Sequence, residues 1–216
     1  MVFNNIISKK KSLLNELNSL GYCDRVKKII LLSNNMNKDD YKKLLLSLLD
    51  NGQYEANLSL TGASVIRDCE IIKKALVHNK NSIKIKAAKL LAKYGSVEDM
   101  ESEIDNLSYE CRKIMINTIY SSGNREAAEK LFPIMYSKYG IQESRKIFPL
   151  CSHETVEKYI DEIGYAICHW DKIAMYHEEI FMKYFKKTLE SKKARERTYA
   201  WYEFLDGVKV LVKSNS

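Results

Sequence analysis

The sequence predicts an all-α protein, a right-handed solenoid of stacked helical hairpins, and three observations carry this prediction. Apolar residues recur at intervals of three and four, as in amphipathic helices. Only 2 prolines and 8 glycines interrupt the 216 residues. The pattern of residues 81–123 also falls on itself when moved by 28 positions, so that Leu91 coincides with Ile119 and Gly95 with Gly123. A fixed period with its apolar positions kept is typical of stacked helical hairpins.

The repeated pattern defines rows of apolar residues that we expect to lie in one continuous core. The first row contains Leu44, Ile72, Met100, Ala128 and Val156, and the second contains Leu48, Leu76, Ile104, Phe132 and Ile160. A third row contains Leu91, Ile119 and Ile147. Burial of these rows is expected because neighbouring repeats share their apolar faces.

The helices can be placed in order from their apolar periods, caps and breakers. The predicted helices span residues 3–20, 24–32, 39–49, 54–66, 68–77, 82–94, 97–106, 108–121, 125–138, 141–148, 152–163, 165–176 and 178–189. A polar turn is predicted at 34–37. Ser82, Ser96 and Ser152 are predicted N-caps, because a serine hydroxyl accepts a hydrogen bond from a free N–H in the first turn. Pro149 is predicted to stop the helix before it.

The C-terminal part departs from the regular period after Gly164. A basic connector is predicted at 191–197. One last helix is then predicted to place Trp201, Phe204, Leu205 and Val208 on a single face. We expect this stripe to form a capping helix over the final hairpin, with Trp201 mostly buried, because terminal repeats need a cover.

The chain is predicted to form a single domain over residues 1–216. Residues 1–38 would be N-terminal cap helices, 39–163 regular hairpins, and 164–216 an irregular hairpin with the cap. No apolar run approaches the roughly 18 residues of a membrane span. The first lysines follow a short apolar patch, the reverse of a secretory signal, so a cytoplasmic location is expected. The 5 cysteines are widely spaced, which predicts buried free thiols.

One motif resembles a known repeat family. The residues that carry it are Ile83, Lys84, Ala87, Leu91 and Gly95, repeated as Cys111, Arg112, Met115, Ile119 and Gly123. This order of branched aliphatic, basic, small, leucine and glycine resembles the core of a HEAT repeat, in a compact form. The resemblance implies a right-handed solenoid in which Lys84 and Arg112 form structural pairs within or between repeats.

A broader resemblance covers residues 54 to 208. The segments YEANLSLTGASVIRD, FPLCSHETVEKYIDEI and HWDKIAMYHEEI together resemble the N-terminal helical repeat region of large uncharacterised fungal and bacterial proteins. The chain has His177-Glu178 where that family would have a proline after the histidine. This resemblance supports the fold and implies no activity.

Charge is segregated between alternate predicted helices. The helix at 97–106 carries five acids and no base, whereas those at 82–94, 108–121 and 141–148 carry eight bases and two acids. In HEAT-like solenoids the second set lines the concave side, which would make that side basic. The candidate binding residues are Lys86, Lys89, Lys93, Lys113, Arg145 and Lys146. We expect Lys86, Lys89 and Lys93 to lie on the side of their helix opposite its buried apolar side, with their side chains free in solvent. Arg145 is expected in the same row.

The sequence therefore predicts a non-catalytic scaffold that binds an acidic protein or peptide through a basic concave surface. Nucleic-acid binding through the same surface is the alternative. A HEAT-like alkylpurine DNA glycosylase is the less favoured form of this alternative. Such enzymes have an aspartate and tryptophans in a basic groove, as Trp170, Asp171 and Trp201 would be here, but their active-site pattern does not align with this sequence. The histidines lack the i, i+4 spacing of zinc ligands on a helix. No cofactor, metal, membrane or small-molecule substrate is expected.

Overall fold

The computed structural model describes residue 13, residues 15–164 and residues 169–214, apart from the side chains of residues 199–201 and 203. Within these ranges the chain forms helices and contains no strand. The predicted all-α class is confirmed. In the same part of the chain, every helix is too short or too polar to cross a membrane.

The helices follow one another with short connections. They are α1 (residues 15–19), α2 (Tyr22–Asn35), α3 (Lys38–Leu49), α4 (Gln53–Ile66), α5 (Cys69–Ala75), α6 (Asn81–Tyr94), α7 (Val97–Glu103), α8 (Tyr109–Ser122), α9 (Arg125–Tyr139), α10 (Ile141–Ser144), α11 (His153–Ile163), α12 (Trp170–Tyr176), α13 (Glu178–Leu189), α14 (Ala194–Glu203) and α15 (Leu205–Ser214). Two short 3₁₀ helices, Ile104–Asn106 and Phe148–Leu150, follow α7 and α10.

The chain divides into two compact units, Met1–Cys111 (unit 1) and Arg112–Ser216 (unit 2). In unit 1, α4 packs against α2, α3, α5 and α6. Buried hydrogen bonds hold this packing: the Tyr41 hydroxyl donates to the carbonyl of Ile29 at 2.9 Å, and the Ser59 hydroxyl to that of Leu45 at 2.7 Å. Gly62 lies against Tyr41, where a Cβ atom would come within 2.7 Å of the hydroxyl oxygen.

Unit 2 is built around aromatic side chains. α12 packs against α13 and α15, and α9 packs against α10 and the 3₁₀ helix Phe148–Leu150. The Trp170 ring lies 4.1 Å from Phe204 and 5.2 Å from Tyr184, measured between centroids. Phe181 lies 5.8 Å from Phe204. These rings join α12 and α13 to the junction between α14 and α15.

The burial predicted for the apolar rows is confirmed. All members of the three rows are buried, among them Leu91, Ile119 and Ile147 with no exposed surface. The two glycines that the period superimposes differ in conformation. Gly123 has a left-handed φ of 65°, whereas Gly95 is extended, with φ −74° and ψ 157°.

Two of the three predicted serine caps are confirmed. The Ser96 hydroxyl accepts a hydrogen bond from the amide of Asp99, whose carboxylate accepts one in return from the amide of Ser96. Ser152 caps α11 by accepting from the amide of Thr155. The cap assigned to Ser82 was wrong, because α6 begins one residue earlier and Ser82 lies inside its first turn.

Several predicted boundaries were also wrong. The helix predicted to end before Pro149 is only one turn long, Ile141–Ser144. Pro149 lies at the start of a 3₁₀ helix, where its missing N–H is tolerated. Helix α2 continues through Asn35, so the polar turn is shorter than predicted. The basic connector ends where α14 begins at Ala194. Most of the predicted first helix, 3–20, lies outside the described residues.

The predicted C-terminal stripe is divided between two helices. Phe204 interrupts the helical path between α14 and α15, and its side chain is buried. Leu205, expected on the same face, is 48% exposed, and Val208 is half-buried. The bend at Phe204 turns the next residue away from the core. The side chain of Trp201 lies outside the described part of the structure.

Polar contacts between helices join residues about one predicted period apart. Among the odd-numbered helices, Lys42 on α3 pairs with Glu70 on α5, and Lys73 on α5 pairs with Asp99 on α7, both at 2.7 Å. Among the even-numbered helices, the Gln53 amide on α4 donates to Ser82 on α6 at 3.1 Å. These separations are 28, 26 and 29 residues.

Candidate functional site

Three of the predicted binding residues lie on α6 in unit 1. This helix buries Ile83, Ala87, Ala88, Leu91 and Ala92, which places the polar residues on its other side. Lys89 and Lys93 are exposed there. Within the described part of the chain neither lysine forms an ion pair, although the Lys93 ammonium lies 5.1 Å from the ring centroid of Tyr94.

The prediction that the Lys86 side chain is free in solvent was wrong. Its ammonium donates to the carbonyl oxygen of Asn57 at 3.1 Å, to Asn57 Oδ1 at 3.2 Å and to Thr61 Oγ1 at 3.2 Å. The side chain is half-buried, and this burial lowers the pKa of the Lys86 ammonium. Lys86 therefore joins α6 to α4, because its long side chain reaches across the helix pair to acceptors that periodicity alone does not reveal.

The other three predicted residues lie in unit 2. Lys113 on α8 is exposed and has no ion pair among the described residues. Lys146, after α10, is half-buried, and its ammonium donates to Asn117 Oδ1 at 2.7 Å. Arg145 is also half-buried. The predicted basic residues are thus divided equally between the two units, and their degree of exposure differs.

The structural role predicted for Arg112 is confirmed. Its Nε donates to Glu143 Oε2 at 2.7 Å and its Nη2 to Oε1 at 3.2 Å, so that α8 and α10 are joined by a bidentate pair. The guanidinium also lies 3.8 Å from the ring centroid of Tyr139. Lys84, its counterpart one period earlier, forms no ion pair within the part of the chain that the structure describes.

The odd-numbered helices neutralise much of their own charge. In unit 1, Lys42 lies 3.2 Å from Asp68 in addition to its contact with Glu70. In unit 2, Lys187 on α13 contacts Asp161 on α11 at 2.6 Å, and Lys183 contacts Glu157 at 3.1 Å. These carboxylates of α5, α7 and α11 are therefore paired with lysines of α3, α5 and α13, whereas Lys89 and Lys93 on α6 keep an uncompensated charge.

A second group of basic and aromatic residues lies in unit 2, and sequence reasoning named only Lys146 among its members as a binding residue. We call Tyr120, Lys146, His169 and Lys172 the Tyr120 cluster. The Tyr120 hydroxyl lies 3.4 Å from His169 Nδ1, the two rings are 4.8 Å apart, and the Lys146 ammonium lies 5.2 Å from the Tyr120 ring centroid. The residues come from α8, the segment after α10, and the start of α12, so no local motif marks them.

Charges of both signs act on the imidazole of this cluster. Burial lowers the pKa of His169; Asp171 opposes the shift, and Lys146, Arg145 and Lys172 reinforce it. The Lys172 ammonium lies 6.0 Å from the ring centroid of Tyr176. Neither Lys146 nor Lys172 forms an ion pair within the described ranges.

A cleft of about 470 Å³ lies in the same unit. Its walls include Arg125, Glu129, His153, Tyr176 and His177. The Arg125 guanidinium lies 4.5 Å from the Tyr176 ring centroid. Glu129 is occupied by the protein itself, since it accepts hydrogen bonds from the amide and hydroxyl of Ser152 and from the Thr155 hydroxyl. The N-terminal end of α11 at this cleft thus already has a carboxylate.

Buried His177 forms part of the wall of this cleft. The His177 side chain is 6% exposed, and its Nε2 lies 3.2 Å from the Pro149 carbonyl oxygen. Its Nδ1 is buried and has no hydrogen-bond partner among the described atoms. Burial lowers the pKa of His177, the Pro149 hydrogen bond opposes the shift, and the nearby charges of His153 and Arg125 reinforce it.

Trp170 has a place in the core rather than in a binding groove. Its ring is 2% exposed and lies among Phe181, Tyr184 and Phe204. A glycosylase that used this tryptophan against a DNA base would need the ring at the surface. The core role is explained by its position at the start of α12, where α13 and α15 cover it.

The described cysteines are free thiols. Cys111 and Cys151 are buried as predicted, but Cys23 is exposed and Cys69 is half-buried. Burial raises the pKa of the Cys151 thiol, which favours its inert, protonated form. In the part of the chain that the structure describes, no three His, Cys, Asp or Glu side chains are placed to hold a metal ion. Cys168 lies outside it.

Comparison with known proteins adds no relative. No family model matches the chain, and no curated protein or solved structure matches it.

Proposed function

We propose that the chain is a HEAT-like helical-repeat scaffold with a period of about 28 residues, and that it binds an acidic protein segment without catalysing a reaction. The observation that carries the functional part is the uncompensated charge of Lys89 and Lys93 on α6. Because both lysines are exposed and neither has a carboxylate partner among the described residues, they provide positive charge for a partner. Lys113 extends the same role to unit 2.

The repeat part of the proposal is supported by two kinds of contact. The apolar rows spaced by 28 residues are buried throughout. Hydrogen bonds also join residues 26 to 29 positions apart, as between Gln53 and Ser82 or between Tyr136 and Glu162. In a repeat protein, contacts of this kind let each repeat stabilise its neighbours. We assign the C-terminal cap to the segment around Phe204, whose ring covers Trp170.

The function is tested with the full chain and a fluorescent polyglutamate peptide. The double variant Lys89→Glu, Lys93→Glu should lower its affinity at least about tenfold, because like charges facing each other across an interface are strongly unfavourable. Lys113→Glu tests the contribution of unit 2 separately. Fluorescence anisotropy measures binding, and circular dichroism checks that helix content is unchanged.

The matched control is Lys209→Glu, Lys213→Glu, which makes the same charge change at exposed positions of α15. It should leave peptide affinity nearly unchanged. Equal affinity for the parent and the Lys89/Lys93 variant would contradict the proposal. An oligonucleotide of the same net charge provides the competing test. If it binds more tightly than the peptide, with affinity that falls steeply with salt, the ligand is nucleic acid.

A further inference from the structure

The Tyr120 cluster contains two ammonium groups, those of Lys146 and Lys172, that form no ion pair among the described residues. Arg145, Lys146 and Lys172 all act on His169, and Asp171 is the one carboxylate that does so among the described residues. The acceptor at Lys146 is the neutral side-chain oxygen of Asn117. This hydrogen bond fixes the ammonium without cancelling its charge, so the cation is positioned in advance of any ligand.

The aromatic ring of the cluster is already engaged. Tyr120 has the His169 ring 4.8 Å away at an interplanar angle of 30°, and the Lys146 ammonium lies over it. Sequence-tolerant binding of single-stranded nucleic acid relies on aromatic faces open to bases. Here the ring instead holds a cation and an imidazole, which favours recognition of a compact anion.

A phosphoryl group fits this arrangement better than a single carboxylate. It carries a charge of about −1.5 to −2 at neutral pH and three strong acceptor oxygens. Lys172 lies in the first turn of α12, where its amide donates to the carbonyl oxygen of His169 at 3.0 Å, so the cluster has two ammonium donors, Lys146 and Lys172. One carboxylate would leave part of their combined charge uncompensated, whereas a phosphate dianion could accept from both.

We propose that the Tyr120 cluster is the binding site for a phosphorylated side chain within the acidic partner. This inference rests on the proposed function, because it assigns one residue of the partner to unit 2. Lys146 and Lys172 would donate to the phosphoryl oxygens, and Tyr120 and Asn117 would hold Lys146 in place.

The test compares two versions of one acidic peptide, with a serine either phosphorylated or unmodified, on the full chain. Phosphorylation should raise affinity at least about tenfold, because it adds charge-assisted hydrogen bonds. Lys146→Gln and Lys172→Gln, made singly, should each remove most of that gain. Lys172 is not among the residues predicted to bind the acidic partner, so Lys172→Gln should also leave affinity for the unmodified peptide nearly unchanged. Lys209→Gln on α15 is the control for loss of one positive charge. Isothermal titration calorimetry measures each affinity.

A spectroscopic measurement separates binding from a change in folding. A phosphate beside His169 would stabilise the imidazolium, so the pKa of His169 should rise when the phosphorylated peptide binds. Nuclear magnetic resonance of labelled histidines follows this titration, and the unmodified peptide should not cause it. Lys172→Gln is the more decisive variant, since Lys172 has no side-chain hydrogen bond to lose within the described structure.

The outcomes distinguish this inference from the proposed function. If both peptides bind equally and the Lys89/Lys93 variant weakens them, the scaffold proposal holds and the phosphate site is overturned. If phosphorylation raises affinity through Lys146 and Lys172 while the Lys89/Lys93 variant has no effect, the phosphate site holds alone. Three results would overturn the phosphoserine assignment. These are unchanged affinity for both peptides in the lysine variants, no binding of either peptide, and tighter binding of an oligonucleotide through the same two lysines.

Discussion

The buried imidazole of His177 makes stability depend on pH. An unfolded histidine titrates near pH 6.5, whereas burial and the charges of His153 and Arg125 lower the pKa of folded His177. Below about pH 6.5 the unfolded state therefore binds more protons, and the free energy of unfolding falls. Each pH unit between the two pKa values corresponds to about 1.4 kcal/mol. Stability should be greatest above pH 6.5 and should decline towards the lower folded pKa.

Urea unfolding at pH 7.5 and pH 5.5 measures this effect. His177→Gln retains a donor for the Pro149 carbonyl and removes the titration, so the loss of stability on acidification should be smaller than in the parent. Part of the loss should remain, because the pKa of His169 is lowered as well. The control is His78→Gln in unit 1. An acid-induced loss that is the same in His177→Gln and in the parent would contradict the prediction.

Single residues differ in how far their roles could be read from sequence. The capping serines Ser96 and Ser152 were predictable, because an N-cap acts on amides two or three positions away. Lys86 and Tyr120 were not, since their partners are 29 and 49 residues distant. A helical period indicates which side of a helix is polar. It does not indicate that a lysine on that side reaches an acceptor on another helix.

At the scale of elements, the packing of α4 reverses the usual effect of a glycine substitution. In an isolated helix, alanine is favoured over glycine by up to about 1 kcal/mol. A Cβ atom on Gly62 would come within 2.7 Å of the Tyr41 hydroxyl oxygen and 3.1 Å of Ile29 Cγ2. Gly62→Ala should therefore destabilise the fold by about 1–3 kcal/mol through overpacking, seen as a lower urea midpoint.

Val65→Ala on the same helix provides the comparison, since Val65 is 44% exposed. Its effect should stay within about 0.5 kcal/mol, as is usual at the surface. A more stable Gly62→Ala variant would mean that α2 and α3 can move away from α4 without loss. Helix propensity from the sequence predicts the wrong sign here, because the close approach of three helices at Gly62 has no local signature.

Boundaries between helices are also less predictable from the sequence than the helices themselves. The centres of most helices were predicted correctly, because an apolar stripe repeats several times along each of them. The stripe at the C-terminus was read as one helix, yet the chain bends at Phe204 and leaves Leu205 exposed. Phe204 is held among Trp170 and the rings of α13. This tertiary contact outweighs the local helical period, and a sequence pattern does not contain it.

For the whole molecule, the proposed repeat architecture predicts how a local defect spreads. Leu91 on α6 is fully buried, and α6 packs against α4 and α5. Leu91→Ala should reduce the free energy of unfolding by about 2–5 kcal/mol, through lost burial and the cavity that remains. In a stacked array the stability of each repeat depends on its neighbours. Amide hydrogen exchange should therefore accelerate in α4 and α5 as well as in α6.

Leu90→Ala is the matched control, because Leu90 is the preceding residue of the same helix and is only half-buried. It should cost at most about 1–2 kcal/mol, with little change in the exchange of α4 and α5. If Leu91→Ala loosens α6 alone, the hairpins do not stabilise one another and the repeat proposal fails. If exchange spreads through α4 and α5 only in the Leu91 variant, the packing of Leu91 transmits stability between α6 and these helices, as stacked repeats require.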